Sequence, residues 1–405
     1  MLPIKRKFFS AMWRLKQATI RGYRNSTKFF VEGLTEKYWL LDYLPTLFKK
    51  RRGVLLIRLD HIGDFVLWLD SAQAYRKLYP NQKITVAVNE VCEELASSLT
   101  HWDEVISFDM QQLRQRYFYR FYMLVKVRWC HFAVAIQPTF SRELIGDIVL
   151  RATCAPARIG YKGDLGNMLP SVKINVDAWY TKLVDKDSRF SMELNINAHF
   201  IRELGFQRFL SSVPLIPINT AHRINDFVPE SPYVVIAPGA SWVGKEWSIE
   251  QFSQVAERLS QDYALIIILC GSKADRRTCD QICTRLSSDS VINLAGRTSL
   301  PQYIELIRGA KFVVSSDSAP VHIAAATKTP SVCILGGGHY GRFYPYAPEQ
   351  IYKSDALPTI ALHWMDCFGC GWKCTLIQDV TAAVPCISAV KVTTVLDACA
   401  RILKL

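Results

Sequence analysis

The sequence lacks a run of apolar residues long enough to cross a bilayer, which takes about 20 residues in helical form. Its most membrane-like stretch, "YWLLDYLPTLF" at 38–48, falls well short, carries Asp42 and is broken by Pro45. The opening residues have neither a proper apolar signal core nor a small-residue cleavage site, so the expected compartment is the cytosol. No zinc-finger, RNP or other nucleic-acid module is present, which speaks against nucleic acid as a partner. The GxxxxGK(S/T) pattern of a P-loop is missing, and neither a low-complexity tract nor a short repeat interrupts the 405 residues. Acidic residues are scarce in one region: positions 1–52 hold thirteen Lys or Arg against Glu32, Glu36 and Asp42. That segment carries +10 of the net charge of +13 and leaves the remainder nearly balanced.

What is present suits a globule of two domains. Half of the residues are hydrophobic and 21% are charged, so the chain can bury a sizeable core throughout. The basic arm 1–52, with Phe and Trp between its cations, suits the anionic cytoplasmic face of the inner membrane, where the protein would sit peripherally; a solvated helix packed on its own domain is the plainer alternative. Twelve cysteines in so long a chain, with no secretory signal, read mostly as reduced thiols.

Strand and helix patterns alternate after the arm. "GVLLIRL" reads as a strand, 64–79 as a helix and "KITVAV" as the next strand; "EVISF" (104–108), "FAVAIQP" (132–138) and a helix over 141–152 follow. The proline-rich stretch 208–232 reads as a linker, which gives domains at 53–215 and 216–405. The second repeats the pattern: "YVVIAPG", a helix opened by a Ser248/Gln251 capping box with Trp247 and Phe252 as a staple, then "YALIIILCG", "VINLAG", a helix capped by Ser299 and Gln302, "KFVVSSDS" and "SVCILGGG". The expected architecture is α/β, two doubly wound halves facing each other.

Polar clusters fall where such strands end, the usual place for ligands in open α/β sheets. In the first, "RLDHIGD", Gly63 allows close approach beside His61, and Asp64 can either cap the helix or take a proton from a hydroxyl. In the second, "APGASWVGKEW", the turn at Ala240 and Ser241 exposes amides and a hydroxyl while Lys245 reaches in as a point charge, a combination that suits a diphosphate; a plain loop with a surface lysine is the alternative. In the third, "SSDSAPVHIAAA", Asp317 and Ser318 precede a helix that begins at Ala319 and carries His322, so hydroxyl, amides and imidazole converge, either on a ligand or simply as a cap. A fourth, "GGGHYG" at 336–341, matches GxGxxG, but "RFYPYAP" follows and its prolines cannot open a Rossmann helix, so a flexible loop near the ligand is expected. In the tail 367–386, Cys367, Cys370, Cys374 and Cys386 are enough for a tetrahedral zinc or iron site, with packed free thiols or a redox pair as the other reading.

Taken in order, "IRLDHIGDFVLWLDSAQAYRKLYP", "APGASWVGKEWSIEQF", "LCGSKADR", "LAGRTSLPQYIELIRGAKFVVSSDSAPVHIAAATKTPSVCILG" and the cysteine tail resemble glycosyltransferase family 9, the heptosyltransferase family. The resemblance implies a GT-B fold of two Rossmann-like domains, with the acceptor on the first and a nucleotide-sugar, ADP-heptose being the suspected donor, on the second. It implies inverting transfer without a catalytic cofactor to a lipopolysaccharide core or another lipid-linked glycan. Under it Asp64 is the general base. Ser241 and Lys245 hold the diphosphate, Asp317, Ser318 and His322 form the donor turn, and Asp275 matches loosely an acid set against the ribose. Two positions depart from the family pattern: Ala319 stands where Gly is frequent, and Leu69-Asp70 where a small residue and Pro are common. A Rossmann oxidoreductase built on "GGGHYG", or a membrane-docked sugar-nucleotide sensor without turnover, are the competing functions.

Overall fold

The computed structural model describes residues 51–218, 228–346, 357–377 and 381–404. The expected arm 1–52 therefore lies outside the described residues except for Arg51 and Arg52. Two parallel sheets of six strands form the frame. The first contains β1 (Val54–Arg58), β2 (Ile84–Asn89), β3 (Glu104–Phe108), β4 (Val134–Gln137), β5 (Ala157–Tyr161) and β6 (Lys182–Val184), in the order β3-β2-β1-β4-β5-β6. The second contains β7 (Tyr233–Ala237), β8 (Ile266–Leu269), β9 (Val291–Asn293), β10 (Val313–Ser316), β11 (Ser331–Leu335) and β12 (Thr359–Leu362), in the order β12-β11-β10-β7-β8-β9. Both are the doubly wound order. Chain direction across the sheet reverses between β1 and β4 and again between β7 and β10, which opens a crevice at each point.

Burial explains why these segments are strands. All five residues of β1 are buried, as expected for a central strand covered on both faces. Its side chains alternate: Val54 and Leu56 enter the core beneath α1 (Ile62–Ala72), and Leu55 and Ile57 enter the opposite core beneath α2 (Tyr117–Trp129). The helix expected over 64–79 forms as two segments, Ile62–Ala72 and Ala74–Leu78. Its N-cap is His61, whose side chain makes no capping bond, so Asp64 sits within the first turn and is not the cap.

The first half continues to α3 (Glu193–Glu203), and the second contributes α4 (Ile249–Tyr263) and α5 (Ala319–Thr327). At α4, Ser248 accepts from the Gln251 amide at 3.1 Å, but the Gln251 side chain donates to the Val390 carbonyl, so the expected capping box closes on one side only. The full box forms at Ser299 and Gln302. The Trp247/Phe252 staple is an edge-to-face pair with centroids 5.1 Å apart.

The halves meet along α1 and α5, and one core cluster runs through both. Across the seam the Ile216 amide donates to the Ala326 carbonyl at 2.9 Å and the Glu193 amide to the Arg342 carbonyl at 2.8 Å. Asp70, one of the two departures from the family pattern, has a local reason to be there: its buried carboxylate accepts from the Ser212 amide at 2.9 Å and ties α1 to the segment leaving the first half. Burial raises its pKa to about 6. Among the described residues no helix is long and apolar enough to cross a membrane.

Trp68 anchors the first core: it is fully buried and stacked on Trp102 at 6.0 Å, with Phe65 and Tyr75 tilted against it. Trp68→Ala is expected to cost about 3–5 kcal/mol, as large-to-small changes at packed aromatics do. Urea denaturation followed by far-UV circular dichroism reads this, and a loss below about 1 kcal/mol would contradict the packing.

Candidate functional site

The carboxyl ends of β1 and β10 face each other across the seam, and the clusters singled out in the sequence lie around that point. The chain leaves β1 at Arg58 and enters α1 at Ile62, which places Gly63 in the first turn of the helix. A methyl group built there would lie 3.1 Å from His322 Cδ2 and 3.8 Å from the Ala319 methyl, so glycine is what lets the first turns of α1 and α5 touch. Ala319, the other departure, thus lies against Gly63. His61, one residue before α1, is exposed.

Asp64 sits half-exposed at the floor of this cleft, beneath enough protein mass to desolvate its carboxyl. Burial, with Asp60 and Glu193 adding negative charge, raises its pKa to about 7; Arg58 and Arg342 pull the other way. Arg58 is completely buried. Its Nε lies 2.6 Å from Asp60 Oδ2, its Nη2 donates to the Asp64 carbonyl at 3.1 Å and its Nη1 to Thr139 Oγ1 at 3.4 Å. Arg342 arrives from the other half: its Nε lies 3.1 Å from buried Glu193 and its Nη1 donates to Ser141 Oγ at 3.0 Å. Asp60, Arg58, Glu193 and Arg342 were not among the residues expected at the site. Asp60 and Arg58 stand in the same "IRLDHIGD" run as Asp64, so their signal was there to be read; nothing local in the sequence marks Glu193 or Arg342.

On the other wall, Lys245 and Asp317 form an ion pair at 3.0 Å with both side chains nearly buried. Lys245 follows the β7 turn on a short 3-10 helix, Val243–Lys245, and its ammonium lies 4.7 Å from the centre of the Trp372 ring. His322 is buried on α5, stacked on Tyr344 at 4.4 Å, with Nδ1 2.7 Å from Tyr346 Oη. Burial and the Lys245 charge push its pKa down to about 3, so the ring is neutral at physiological pH. Ser318 donates from Oγ to the Gly239 carbonyl at 3.3 Å, joining the α5 entry to the β7 turn; Ala240 beside it is half-buried and Ser241 exposed.

Asp275 reaches the β7 turn from the following loop: its carboxylate lies against Gly239, and its Oδ2 accepts from the amide and hydroxyl of Ser272 at 2.6 and 2.7 Å. The "GGGHYG" run is packed, not a loose loop. Methyl groups on Gly337 and Gly338 would collide with Phe368 and Trp372, and the amides of Gly369 and Gly371 each donate at 2.8 Å to carbonyls of that run. Its glycines answer to side-chain packing, and among the described residues no helix follows them before β12. The thiolate quartet expected for metal does not assemble: among the described residues no group of three or more His, Cys, Asp or Glu is placed to hold a metal ion. All four cysteines are free thiols, and Cys386 accepts from the Gly337 amide at 3.4 Å.

With this geometry in hand, comparison with known proteins is direct. The family model described as glycosyltransferase family 9 (heptosyltransferase) matches residues 144–362. A stretch of 120 residues is 36% identical to lipopolysaccharide heptosyltransferase 3 of Escherichia coli K12, spanning 29% of this chain and about a third, 35%, of that protein. A longer match, 34% identical over 302 residues, covers 70% of this chain and 83% of lipooligosaccharide heptosyltransferase 2 of Haemophilus influenzae Rd. Among solved structures, E. coli ADP-heptose lps heptosyltransferase II superposes with a TM-score of 0.65 at 19% identity, covering 87% of this chain and 98% of that one. The iron-containing dodecameric glycosyltransferase TibC of enterotoxigenic E. coli H10407 has a TM-score of 0.52 at 16% identity and covers 89% and 78%. The fold is thus GT-B, as the sequence resemblance implied.

The buried imidazole has a thermodynamic consequence. A histidine held neutral in the folded state but free to take a proton near pH 6.5 when unfolded stabilises the fold above that pH, and the stabilisation is lost as pH falls from about 6.5 towards 3. In His322→Asn the drop in unfolding free energy between pH 7.5 and pH 5 should be smaller than in the parent chain, as read by urea titration at each pH. Equal drops would mean that His322 is not held neutral.

Proposed function

The chain belongs to glycosyltransferase family 9, and from that premise we propose that it moves a heptose from ADP-heptose to a lipopolysaccharide core or a similar lipid-linked glycan, with inversion at the anomeric carbon. The observation that carries the reading is a carboxylate whose pKa lies near 7, Asp64, at the end of β1 and across the seam from a buried lysine and a helix N-terminus. The printed names of the relatives supply the sugar, the nucleotide and the lipopolysaccharide class.

In this reading Asp64 takes the proton of the acceptor hydroxyl as that oxygen forms its bond to the anomeric carbon. The bond from that carbon to the diphosphate breaks in the same displacement, and the electron pair leaves with the nucleoside diphosphate. Lys245, held by Asp317, and the positive end of α5 stabilise the charge that grows on the departing phosphate. Ser241 and Ser318 supply hydroxyls beside it. His322 is a neutral, positioned ring, and His61 and Gly63 border the acceptor side. Asp275 would meet the ribose through Oδ1, which lies beside Gly239 of the β7 turn while Oδ2 holds Ser272. A structural zinc or iron in the tail would require Cys367, Cys370, Cys374 and Cys386 to draw together from their described positions.

The basic segment 1–52 supports peripheral attachment to an anionic cytoplasmic membrane face, since each Lys or Arg near such a surface contributes about 1 kcal/mol. The oxidoreductase alternative is disfavoured by the packed glycine run, which offers no helix N-terminus to a dinucleotide.

A panel of ADP-, GDP-, UDP- and dTDP-sugars with NAD(H), screened by thermal stabilisation and then by turnover, tests the proposal. Stabilisation by ADP-heptose is the expected outcome; stabilisation by NAD(H) alone would overturn it. Asp64→Asn should retain donor stabilisation and lose about 10²–10⁴ in kcat. Because the base must be ionised, kcat/KM should fall about tenfold per pH unit below about 7 and level off above it. Removing the positive charge of Arg342 by Arg342→Gln should move that acid limb to higher pH, as initial rates across pH 5.5–9 will report.

A further inference from the structure

Helix α2 covers the first sheet on the face opposite α1. Met123, Leu124 and Val127 point into the core with Leu55, Ile57 and Phe108. A surface helix ordinarily turns a polar side to water, and α2 does not. Phe118 is 84% exposed, Trp129 63% and Tyr122 62%, with Tyr117 and Phe121 exposed beside them. The spacing 118, 122, 129 aligns these rings along one outer stripe, and Tyr117 stacks on Phe121 at 6.4 Å. Trp129 closes the stripe at the end where the chain turns back towards β4.

Along the chain the stripe is flanked by positive charge, with Glu104 near its Cys130 end and Glu90, Glu93 and Asp109 near Tyr119 as the nearby acids. From Met110 to Arg142 the chain has six Lys or Arg and no Asp or Glu. Arg116 and Lys126 are exposed on α2 itself, while Arg114 is exposed and paired with Glu143. The strongly basic segment outside the described residues also leads here: the Arg52 amide donates to the His131 carbonyl at 2.9 Å, two residues beyond Trp129, and Arg51 donates to the Thr153 carbonyl at 3.2 Å. Because α2 returns from the end of β3 to the start of β4, the stripe runs about 20 Å from that exit towards the sheet edge where Asp64 lies.

We propose that the outer face of α2 docks on an anionic lipid bilayer, with Phe118, Tyr122 and Trp129 in the interface and Arg116 and Lys126 among the headgroups. The surface adds a folded contact to the basic segment and sets the cleft edge of the first sheet at the membrane. Its purpose rests on the reading of a lipid-linked acceptor, whereas the docking itself needs no substrate.

Flotation of the full chain with phosphatidylethanolamine/phosphatidylglycerol vesicles, against pure phosphatidylcholine vesicles, tests it. The parent chain should float with the anionic vesicles and stay behind with the neutral ones. In Phe118→Ser/Tyr122→Ser/Trp129→Ser, with an unchanged melting temperature, partition should fall roughly tenfold or more. Partition equal to the parent's would overturn the proposal and leave the basic segment as the whole anchor. So would a parent chain that binds neither vesicle but is a dimer by light scattering that the triple variant dissolves, because a second copy would then be the occupant. Should the triple variant melt early, Phe118→Ser is decisive in the same way: a severalfold loss of partition supports docking and no change refutes it. Turnover with detergent-solubilised acceptor separates the two readings, since inactivity there would count against the transferase function while vesicle binding would stand.

Discussion

The structure depends on one close approach, that of Gly63 at the entry of α1 to His322 on α5. Two doubly wound sheets each offer a crevice at the point where strand order reverses, and the two crevices make one cleft only if the helices bordering them can touch. With 3.1 Å between a hypothetical Gly63 methyl and the imidazole, even alanine there would make His322 give by a few tenths of an ångström. The same contact explains the small residue at 319 and the neutrality of His322, which has tyrosine rings and protein on its flanks where water would otherwise solvate a charge.

Closing the seam concentrates charge. Asp60, Asp64 and Glu193 gather from the first half, and without Arg58 beneath them and Arg342 from across the seam they would repel one another. The two arginines compensate Asp60 and Glu193 directly, by contacts of 2.6 and 3.1 Å, and leave Asp64 as the acid whose pKa climbs to about 7. A carboxyl that binds its proton more tightly when folded than when unfolded makes the fold less stable as pH rises between its ordinary value and about 7. Asp60 shares the effect: burial raises its pKa as well, although Arg58 beside it pulls the other way.

Much of this could be read in the sequence, and the reasons for what was missed are physical. The central strands β1, β7 and β10 are short apolar runs ended by polar turns, so strand, turn and helix start were each legible, as were the caps at Ser248 and Ser299. Edge strands such as β6, with three residues and an exposed lysine, carry no such pattern. Helix α2 was missed because aromatic and basic residues on its outer face blur the period of its buried face. Lys245, Asp317 and His322 were legible as helix-entry chemistry. Glu193 and Arg342 were not, because 149 residues separate them and only the seam makes them partners. The tail was legible as a cysteine cluster, but spacing cannot say whether thiols converge.

What the tail does is clearer from its aromatic residues. Phe368 and Trp372 pack against Gly337 and Gly338 so closely that only glycine fits, and this fixes the course of the loop that carries Arg342 across the seam to Glu193. The Trp372 ring also lies under the Lys245 ammonium and meets Trp242 edge-on at 5.8 Å. One side chain therefore braces two cationic groups of the second half, the lysine paired with Asp317 and the arginine facing the acid cluster. Loosening Trp372 would free Lys245 from one flank and let the Arg342 loop drift, so the charge balance at Asp64 is set in part by a segment that contributes no group to the cleft. The tail is in this sense part of the site's electrostatics, acting through packing.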